Sequence, residues 1–486
     1  MASEHPHLER RIAEEQQTLA RPLRSLLRRA PVVCEEALPV AKAAALMRAE
    51  KVGSLVVVDD AARPIGIVTS RDLLDALAEE GGARPVSERM TRAPFSLPPH
   101  ALAYEAALAM SMRRIRHVLV MEEGVLRGVV SERDLFALQR LGLGELSMQI
   151  RLAGDIGALA GLAAEIRRLT VRLVAQGIAA EQLMSLVSVL NDRVSQRVIE
   201  VVRKRHDLER ISWCWLAFGS EGRLEQTFTS DQDNGLIFAA HDDADPAKVR
   251  ARLLPFARQI NEALDACGFA LCKGNVMASN PELCLSADEW RAKMGRWIES
   301  SSPKALLGAV ICFDLRALFG DASLPETLRA WAHERIGRYP VFLRHMAENA
   351  LRAQPALGRL GAFVTEDLPG AEGSIDLKAN GARIFIDAAR IFALAHAVAR
   401  TNTAERLRAA GGAVGMSEAE TAAAVDSFHA LQAARLRIQA RAQAGAPGAH
   451  NRIDPTKLDR IESAVLKESL RVARELQERL ALHYQL

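Results

Sequence analysis

The sequence predicts a multidomain protein in which α/β segments are followed by a purely helical segment. Three observations lead to this prediction. A pattern of eight residues at 66–73 recurs at 128–135, strand-like and helical runs alternate from 209 to 328, and helical periodicity continues from 329 to the end. The length of 486 residues corresponds to about three domains. An apolar content of 49% and a charged content of 25% are typical of globular chains.

The composition excludes several classes of protein. The chain carries 63 basic and 60 acidic residues, a net charge of +3, so nothing predicts a nucleic-acid partner. No apolar run approaches the ~20 residues of a membrane helix, and the amino-terminal residues are too polar for a signal peptide. We therefore expect a soluble cytoplasmic protein without a membrane partner. None of the six cysteines forms a Cys-x-x-Cys pair, which favours buried thiols over a zinc site.

The eight-residue repeat belongs to a longer duplicated unit. In each copy an alanine-rich helix precedes an apolar strand, a turn, a Gly-h-h-Thr/Ser strand (h, hydrophobic) and a closing helix. Internal repeats of this kind define the architecture of a region before any other pattern does. The unit resembles a tandem pair of CBS domains at 29–141, with a helical segment predicted before it at 1–28. In this family such pairs associate face to face, so the resemblance implies a homodimer.

The resemblance also implies a nucleotide site in each repeat. The family binds nucleotides through the hydroxyl and carboxylate of Gly-h-h-Thr/Ser-x-x-Asp, here Thr69 and Asp72 in one copy and Ser131 and Asp134 in the other. A carboxylate can accept hydrogen bonds from both ribose hydroxyl groups, and the implied ligand is an adenine nucleotide. The alternative is that Thr69 and Ser131 cap the following helices, with each Asp in the first turn. The two interpretations are compatible.

Two amphipathic helices are predicted at 142–208, as a linker. Apolar residues recur at steps of three and four from Leu159 to Leu173 and again from Leu183 to Val198, and Gly177 separates the two runs. Helices with one apolar face can form a hairpin or join neighbouring domains.

The segment after the linker carries the strongest chemical signal. An apolar strand at 211–218 leads into Gly219-Ser220 and a short helix, and a second strand carries Asp231 and Asp233 with one residue between them. Side chains alternate along a strand, so both carboxylates are predicted to face one side. Two carboxylates beside a small-residue loop suit chemistry on a nucleoside triphosphate assisted by Mg²⁺ or Mn²⁺. The segment 209–328 resembles the nucleotidyltransferase core of PII uridylyltransferases and glutamine-synthetase adenylyltransferases.

The resemblance assigns three metal-binding catalytic carboxylates, Asp231, Asp233 and Asp314. Asp314 lies in a predicted strand at 309–315, in a Phe-Asp-Leu-Arg stretch similar to the Asp-x-Arg strand of those enzymes. There it would bind the catalytic metal or help to deprotonate the acceptor hydroxyl. The alternative for Asp-x-Asp is an ordinary strand start, but its conjunction with Gly-Ser-x-Gly-Arg-x-Glu favours function.

Four further residues are candidate nucleotide contacts. Gly219 lets the backbone approach a triphosphate, and Ser220 can donate to its oxygens, although a tight turn alone also explains the glycine. Arg223 either contacts phosphates or pairs with Glu225 or an Asp to brace the site. Ser230 is predicted to orient the strand that carries the metal ligands.

The rest of the core is predicted as a helix at 247–267, a strand at 269–272, a loop at 273–281 and a helix at 287–299. Alternation of strands and helices at these lengths argues for an α/β fold. Lys273 and Asn280 are interpreted as solvated loop residues.

The remaining residues, 329–486, are predicted to form a helical domain. Ile-Asp-Leu-Lys at 375–378 precedes an Asp-x-x-Arg helix, a pattern similar to the substrate-binding domain that follows nucleotidyltransferase cores. Lys378 and Arg390 are candidate contacts for base or ribose, and ion pairs with Asp376 or Asp387 are the equal alternative.

The leading hypothesis is a CBS-regulated nucleotidyltransferase that modifies a hydroxyl of a protein or small molecule; the alternative is a nucleotide-sensing scaffold. The acceptor and the base are not predicted. The pairs His206-Asp207 and His241-Asp242 are predicted to be solvated. Because a uridylyl-removing enzyme needs separated His and Asp ligands, the chain is not predicted to be a PII uridylyltransferase.

Overall fold

The computed structural model of the chain divides into two compact units after Met148. The structure describes residues 21–27, 29–50, 52–70, 72–73, 76, 82–113, 115–132, 134–135, 143–228, 230–239, 245–299, 306, 310–358, 361–367, 371–443 and 451–486. The predicted fold class, with α/β regions followed by a helical domain, is confirmed. Within the described residues, no helix is both long and apolar enough to cross a membrane.

The strands are β1 (Val33–Glu35), β2 (Ser54–Val58), β3 (Pro64–Thr69), β4 (Thr91–Arg92), β5 (Ser96–Leu97), β6 (His117–Glu122), β7 (Val125–Ser131), β8 (Trp213–Ala217), β9 (Asn234–Phe238), β10 (Cys284–Ser286), β11 (Arg316–Gly320), β12 (Ile375–Asp376) and β13 (Arg452–Ile453). The helices are α1 (Val40–Glu50), α2 (Ala103–Arg113), α3 (Leu143–Leu152), α4 (Ile156–Ala175), α5 (Ala180–Arg203), α6 (Gly219–Gly222), α7 (Pro246–Ala266), α8 (Ala287–Glu299), α9 (Ser323–Arg338), α10 (Pro340–Ala350), α11 (Arg383–Ala395), α12 (Thr403–Ala410), α13 (Glu418–Gln443) and α14 (Arg460–Tyr484).

The first unit contains the two repeats, each built on the same strand order. In one repeat β1 pairs in parallel with β2 and β2 antiparallel with β3; in the other, β5, β6 and β7 follow the same scheme. Each repeat has its own apolar core. Val56, Ile67 and Leu119 are buried together and join the repeats. The predicted duplication is therefore confirmed as two packed copies.

The predicted helical segment at 1–28 lies mostly outside the described residues. Its described part contains a 3-10 turn, Leu23–Ser25, whose Leu23 is fully buried in the core of the second repeat. The Leu23 amide donates a 2.7 Å hydrogen bond to the carbonyl of Ala101.

The second unit begins with a helical hairpin. The side chain of Asp155 caps α4 by accepting a 2.9 Å hydrogen bond from the amide of Ala158, and Gly177, at φ +74°, forms the turn before α5. The predicted apolar stripe of α5, from Leu183 to Val198, is buried. It packs the helix against α7 and β11, so α5 forms one wall of the α/β sheet region.

The sheet of the second unit has the strand order β10-β9-β8-β11. β8 and β9 are antiparallel, β10 runs parallel to β9, and β11 runs antiparallel to β8. Every residue of β8, β9 and β10 is buried, as expected for strands covered by helices on both faces.

Two predicted strands are wrong. Residues 269–272 form a loop after the turn at Gly268. The amide of Gln232 donates a hydrogen bond to the carbonyl of Ala270, but among the described residues this single bond does not extend into a ladder of strand pairing. The third strand lies further on, at Cys284–Ser286. Residues 310–314 form a 3-10 turn instead of a strand, and β11 begins only at Arg316.

The helical domain consists of α9 to α14 and a two-stranded ladder of β12 with β13. Its main packing pairs are α11 with α12 and α13 with α14. A π-helical turn, Lys378–Ala382, joins β12 to α11.

Candidate functional site

The Gly-Ser turn lies directly against Asp233. The amide of Phe218 donates a 2.8 Å hydrogen bond to the carbonyl of Asp233. Gly219 has φ +52°, and a Cβ at this position would lie 2.7 Å from Oδ2 of Asp233 and 3.0 Å from Ile311. The site therefore requires glycine for two reasons, the left-handed backbone and the space beside the carboxylate.

Asp231 and Asp233 lie just before β9 and not on it, which corrects the prediction that a strand carries them. The residue between them still faces inward. Gln232 is 3% exposed, and its Nε2 donates to the carbonyls of Asn261 (3.0 Å) and Phe269 (2.8 Å). Gln232 is therefore anchored in the interior, and the carboxylates on either side of it keep access to solvent. Asp231 is exposed and Asp233 is half-buried.

The backbone around the two carboxylates is held by polar side chains. Ser230 accepts a 2.9 Å hydrogen bond from the amide of Thr227, which closes the turn before Asp231. On the other side, Oδ1 of Asn234 accepts from the amide of Ala278 at 2.8 Å. Ser230 therefore fixes the local chain before Asp231, and its role in orienting metal ligands stays a prediction.

The electrostatics of Asp233 suit a carboxylate that binds a cation. Burial raises its pKa, a hydrogen bond from the thiol of Cys272 lowers it, the neighbouring charge of Asp231 raises it, and Lys378 and Arg223 lower it, with a net increase. The repulsion between the two carboxylates is a cost that a bound divalent ion would remove.

The donor set fits magnesium. Within the described ranges, no three His, Cys, Asp or Glu side chains converge as a metal cluster, so the two carboxylates stand without a third protein ligand. Mg²⁺ is commonly held by one or two carboxylates together with substrate phosphates, whereas a closed protein cage is the exception.

The structure does not support the predicted metal-binding role of Asp314. Asp314 lies in the 3-10 turn Val310–Asp314, is fully buried, and accepts four hydrogen bonds from three arginines. Arg390 donates to both oxygens (2.9 and 2.6 Å), Arg406 to Oδ1 (2.5 Å) and Arg223 to Oδ2 (2.6 Å). Although burial alone would raise its pKa, the charges of Arg390, Arg406 and Arg223 hold the pKa of Asp314 well below its usual range. Each carboxylate oxygen of Asp314 therefore already accepts two hydrogen bonds, which leaves neither of them available to a metal ion.

The Gly-Arg-x-Glu part of the motif connects the sheet to the helical domain. Nε of Arg223 donates to Glu225 at 2.8 Å, and Oε1 of Glu225 accepts a 2.6 Å hydrogen bond from the amide of Thr403. The side-chain amide of Asn402 donates to the carbonyl of Arg223 at 3.2 Å. Arg223 therefore braces the site, and its predicted phosphate contact is replaced by these buried pairs.

Arg390, predicted as a base or ribose contact or a surface ion pair, belongs to the same buried cluster. It pairs with Asp387 at 2.6 Å as well as with Asp314. The arginines 223, 390 and 406 and the carboxylates of Glu225, Asp314 and Asp387 give three charges of each sign. We call these six residues the arginine–carboxylate cluster. Because the charges of the cluster are balanced and hydrogen-bonded, its burial leaves no charge unpaired.

Another buried carboxyl group directly follows the Gly-Ser turn, and the sequence alone did not single it out. Glu221 is 7% exposed, and burial together with the charges of Asp192 and Asp233 raises its pKa to about 8, against the opposing charge of Arg316. Arg316 pairs with Asp192 of α5 at 2.9 Å and donates to the carbonyl of Glu221 at 3.0 Å. The only local signal was the position of Glu221 inside the motif, since Asp192 carries no motif of its own.

The residues predicted to be solvated have mixed outcomes. Lys273 is exposed as predicted, but Asn280 caps a 3-10 turn by accepting from the amide of Glu282 at 3.0 Å. His206 contacts Gln259 at 3.1 Å and packs edge-on against Phe256, so it is not simply solvated. The pair at 241–242 lies outside the described residues.

In the first unit, the two hydroxyl–carboxylate pairs both form caps. Thr69 donates from its amide and hydroxyl to Asp72 at 2.8 and 2.7 Å, and Ser131 donates to Asp134 at 2.9 and 2.5 Å. The capping interpretation therefore holds in both repeats and leaves the second carboxylate oxygen of each Asp for other partners.

A cavity lies beside one of these two pairs. A cavity of about 690 Å³ has Ser131 and Asp134 in its lining, together with Arg29, Arg116 and His117. Thr69 and Asp72 are not part of that lining. Burial lowers the pKa of His117, while the charges of Asp134 and Asp72 act in the opposite direction. Arg29 and Arg116 place cations suited to phosphate in the same cavity as Ser131 and Asp134.

Comparison with known proteins agrees with this division. Three family models match the chain: "Putative nucleotidyltransferase DUF294" over residues 164–304, "Putative nucleotidyltransferase substrate binding domain" over 340–484 and "CBS domain" over 23–79 and 86–140. Along the chain, a pair of CBS-domain matches is thus followed by the match to the DUF294 region and then by the match to its substrate-binding domain.

Curated relatives match shorter stretches. An uncharacterised 17.7 kDa protein of Acidianus ambivalens is 34% identical over 97 residues, and an uncharacterised 33.4 kDa protein of Thermofilum pendens is 35% identical over 92 residues. A CBS domain-containing protein of Dictyostelium discoideum is 49% identical over 53 residues. These matches cover 20%, 19% and 11% of this chain and 59%, 31% and 37% of the relatives' own lengths.

Solved structures are similar over about a quarter of the chain. A CBS domain protein of Pyrobaculum aerophilum, complexed with AMP, is 30% identical and covers 24% of this chain and 89% of its own, with a TM-score of 0.23. A CBS-domain-containing protein of Agrobacterium tumefaciens is 29% identical and covers 25% of this chain and all of its own, with a TM-score of 0.24.

Proposed function

We propose that the protein is a metal-dependent nucleotidyltransferase that moves a nucleoside monophosphate from a triphosphate to a hydroxyl of a protein or small-molecule acceptor. The observation that carries the proposal is the position of Asp233, packed against Gly219 with no room for a Cβ and with the exposed Asp231 two residues away. Two carboxylates of this kind would hold Mg²⁺ or Mn²⁺, and the ion supplies charge neutralisation on the transferring phosphate.

The reaction balances without a further co-reactant. The acceptor oxygen bonds to the α-phosphorus, the bond from that phosphorus to the oxygen bridging to the β-phosphate breaks, and pyrophosphate leaves with the electron pair. The hydroxyl proton passes to a carboxylate of the site or to water. The part of this chain is to position the triphosphate: the Gly219-Ser220 turn lets phosphate oxygens approach the backbone, and Ser230 and Gln232 hold the two carboxylates in place.

The same proposal assigns regulation to the first unit, with an adenine nucleotide as the ligand and a homodimer formed through the CBS pair. The cavity of about 690 Å³ beside Ser131 and Asp134 supports a ligand of this size. Arg29 and Arg116 supply charge for a phosphate group, and Asp134 supplies an acceptor for ribose. We expect the nucleotide to occupy this cavity of the CBS pair.

One observation favours the alternative, a nucleotide-sensing scaffold with little transferase activity. Asp314, the third carboxylate expected from the resemblance, is neutralised inside the arginine–carboxylate cluster. A core that retains two carboxylates is compatible with nucleotide binding whether or not transfer follows.

The experiment that separates the two functions uses each α-labelled nucleoside triphosphate with Mg²⁺ or Mn²⁺, the purified chain and lysate of its own host. Label in a discrete protein or small molecule is expected with wild type. It should fall at least about 100-fold with Asp233→Asn, because one metal ligand is lost. Asp207→Asn, at an exposed carboxylate, is the matched control. No label from any triphosphate, with nucleotide binding still measurable, would favour the scaffold.

A further inference from the structure

A small cavity lies where the 3-10 turn of the sheet region meets the helical domain. It has a volume of about 50 Å³, and it is lined by apolar side chains together with polar ones, among them Val310, Met346, Ile391, Asn349, Arg383 and Asp387. One water molecule needs about 10–15 Å³ of such space, whereas pockets that enclose a whole ligand measure about 300–1,000 Å³. The cavity therefore has room for one small functional group of a larger molecule.

The cavity borders the candidate site. Val310 lines the cavity, and the next residue, Ile311, contacts the Gly-Ser turn. The Ile311 side chain lies 3.0 Å from the position that a Cβ of Gly219 would take, and that position is 2.7 Å from Oδ2 of Asp233. Consecutive Cα atoms are only about 3.8 Å apart. The 3-10 turn is therefore a wall that the cavity and the carboxylate site share, and a group bound in the cavity lies a short distance from Asp233.

Arg383 lines this cavity with a guanidinium that is held at one edge and free at the other. Its Nε donates a 3.2 Å hydrogen bond to Oδ2 of Asp387, one turn further along α11. Oδ1 of Asp387 accepts at 2.6 Å from the buried Arg390. The two terminal nitrogens of Arg383 have no partner among the residues that the structure describes. A guanidinium oriented in this way presents two donors whose spacing matches a carboxylate or phosphate group.

The charge at the cavity suits a monovalent anion. Asp387 and Arg390 belong to the arginine–carboxylate cluster, in which the charges are balanced. Arg383 is a further cation outside that cluster, so the lining carries a single positive charge in excess. A carboxylate supplies one negative charge, whereas a phosphate monoester carries nearly two at neutral pH. The apolar side chains of Val310 and Ile391 suit the aliphatic carbons next to a carboxylate.

We propose that this cavity binds a carboxylate group of the acceptor, with Arg383 as its bidentate partner. The role as an acceptor site rests on the proposed function. The carboxylate belongs either to a small hydroxy or amino acid or to an acidic side chain of a protein acceptor, and both present the same group to Arg383. A carboxylate anchored on one side of the shared wall orients the acceptor and thereby brings its hydroxyl group towards Asp233.

The test measures binding to the full chain by NMR titration. The probes are propionate, the neutral isostere propionamide and inorganic phosphate. We expect wild type to bind propionate with a Kd in the millimolar range and propionamide at least about 10-fold more weakly. Arg383→Gln removes the cation and Val310→Phe fills the space, so each should weaken propionate about 10-fold or more. Binding of the Mg²⁺–triphosphate complex should change less than about twofold in both variants.

Arg344→Gln is the matched control. Arg344 forms an ion pair with Glu348, one turn along the neighbouring helix α10, at 3.5 Å. The side chains of Arg344 and Arg383 are 47% and 54% exposed, so the two substitutions remove the same kind of surface pair. Arg344 does not line the cavity. We therefore expect Arg344→Gln to bind propionate as wild type does.

The two sources of the carboxylate are separated by transfer from the α-labelled triphosphate in host lysate. If the acceptor is a free acid, Arg383→Gln should lose label from the small-molecule fraction, and excess propionate should compete with wild type. If the acceptor is a protein, Arg383→Gln should lose label from a protein band. In either case Arg344→Gln should retain the label.

Several results would overturn the inference. They are the absence of propionate binding to wild type, equal binding of propionate and propionamide, tighter binding of phosphate than of propionate, and propionate binding that survives in Arg383→Gln or falls as much in Arg344→Gln. A different result bears on the proposed function. If wild type binds propionate through Arg383 but transfers no label from any triphosphate, the proposed function fails, and the cavity is a carboxylate site without an acceptor role.

Discussion

Asp233 and Asp314 are aspartates for which the sequence predicts one role, yet they lie in opposite environments. Asp233 is half-buried beside a glycine turn, close to Asp231, and burial raises its pKa. Asp314 is fully buried, and three arginines hold its pKa well below the usual range. The charges that surround a carboxylate therefore decide whether it can bind a cation. Asp314 is better understood as a residue that holds the sheet region and the helical domain together.

The sharpest test of this comparison is the replacement of Asp314. Asp314→Asn removes one of the three negative charges of the arginine–carboxylate cluster. The buried cluster is then left with a net charge of +1. We expect the free energy of unfolding to fall by about 3–5 kcal/mol, the usual cost of breaking a buried pair by removing one partner. Denaturant unfolding of the second unit, followed by tryptophan fluorescence, measures the change.

Two variants serve as controls for the Asp314 prediction. Asp387→Asn removes a more exposed partner of Arg390, so we expect a loss of about 1 kcal/mol. Asp233→Asn should leave stability unchanged or slightly higher, because it relieves repulsion from Asp231. If Asp314→Asn left stability unaltered but abolished nucleotidyl transfer, Asp314 would be a metal ligand like Asp233, and the contrast drawn between the two aspartates would be wrong.

Glu221 is the intermediate case, a buried carboxyl group with its pKa raised to about 8. The unfolded chain releases this proton from about pH 4.5 upward, whereas the folded protein keeps it until about pH 8. The folded state therefore binds the extra proton between these values, and stability falls as the pH rises through them. Glu221→Gln removes the effect and should stabilise the protein by about 1–3 kcal/mol at pH 8 and by much less at pH 5.

Thermal unfolding at pH 5, 6, 7 and 8 in the presence of a chelator checks the Glu221 prediction, since a bound cation would itself favour the ionised form. Glu262→Gln, at an exposed position on α7, is the control and should show no such trend. A difference between Glu221→Gln and wild type that does not change with pH would mean that Glu221 is ionised in the folded protein.

The smallest effect concerns the support that α5 gives to the motif. Ser188 is fully buried, and its hydroxyl accepts a 3.1 Å hydrogen bond from the amide of Gln226. Ser188→Ala leaves that amide without its partner, so we expect a loss of about 1–2 kcal/mol in the free energy of unfolding. If stability stayed the same in chemical unfolding, water would have replaced the hydroxyl, and the motif would depend on the arginine–carboxylate cluster alone.

Local patterns predicted local structure well. The helix Ala287–Glu299 has the predicted bounds because Ser286 and Glu289 form a reciprocal cap, with hydrogen bonds of 3.2 and 2.8 Å, and Ser-x-x-Glu is legible in the sequence. The stretch 269–272 has the same apolar character as a strand, but the choice of strand depends on which segment reaches β9, and that is a tertiary property.

No local sequence pattern could predict the environment of Asp314. Its partners Arg390 and Arg406 lie 76 and 92 residues further along the chain. A four-residue motif can suggest a carboxylate with a role, but only the packed structure shows which charges surround it. For Asp231 and Asp233 the neighbours Gly219 and Gln232 are close in sequence, so a local motif could single them out, although it placed them on a strand that begins only at Asn234.

The arginine–carboxylate cluster also determines how the protein can be divided for expression and crystallisation. A fragment that stops at 328 would keep Arg223, Glu225 and Asp314 but lose Arg390 and Arg406, so it would expose charged groups that evolved for a dry interior. The chain divides into its two compact units after Met148, inside α3, so a cut on the amino-terminal side of that helix keeps the cluster whole. The region matched by the nucleotidyltransferase family model, 164–304, therefore shares this buried cluster with the helical domain and should be expressed together with it.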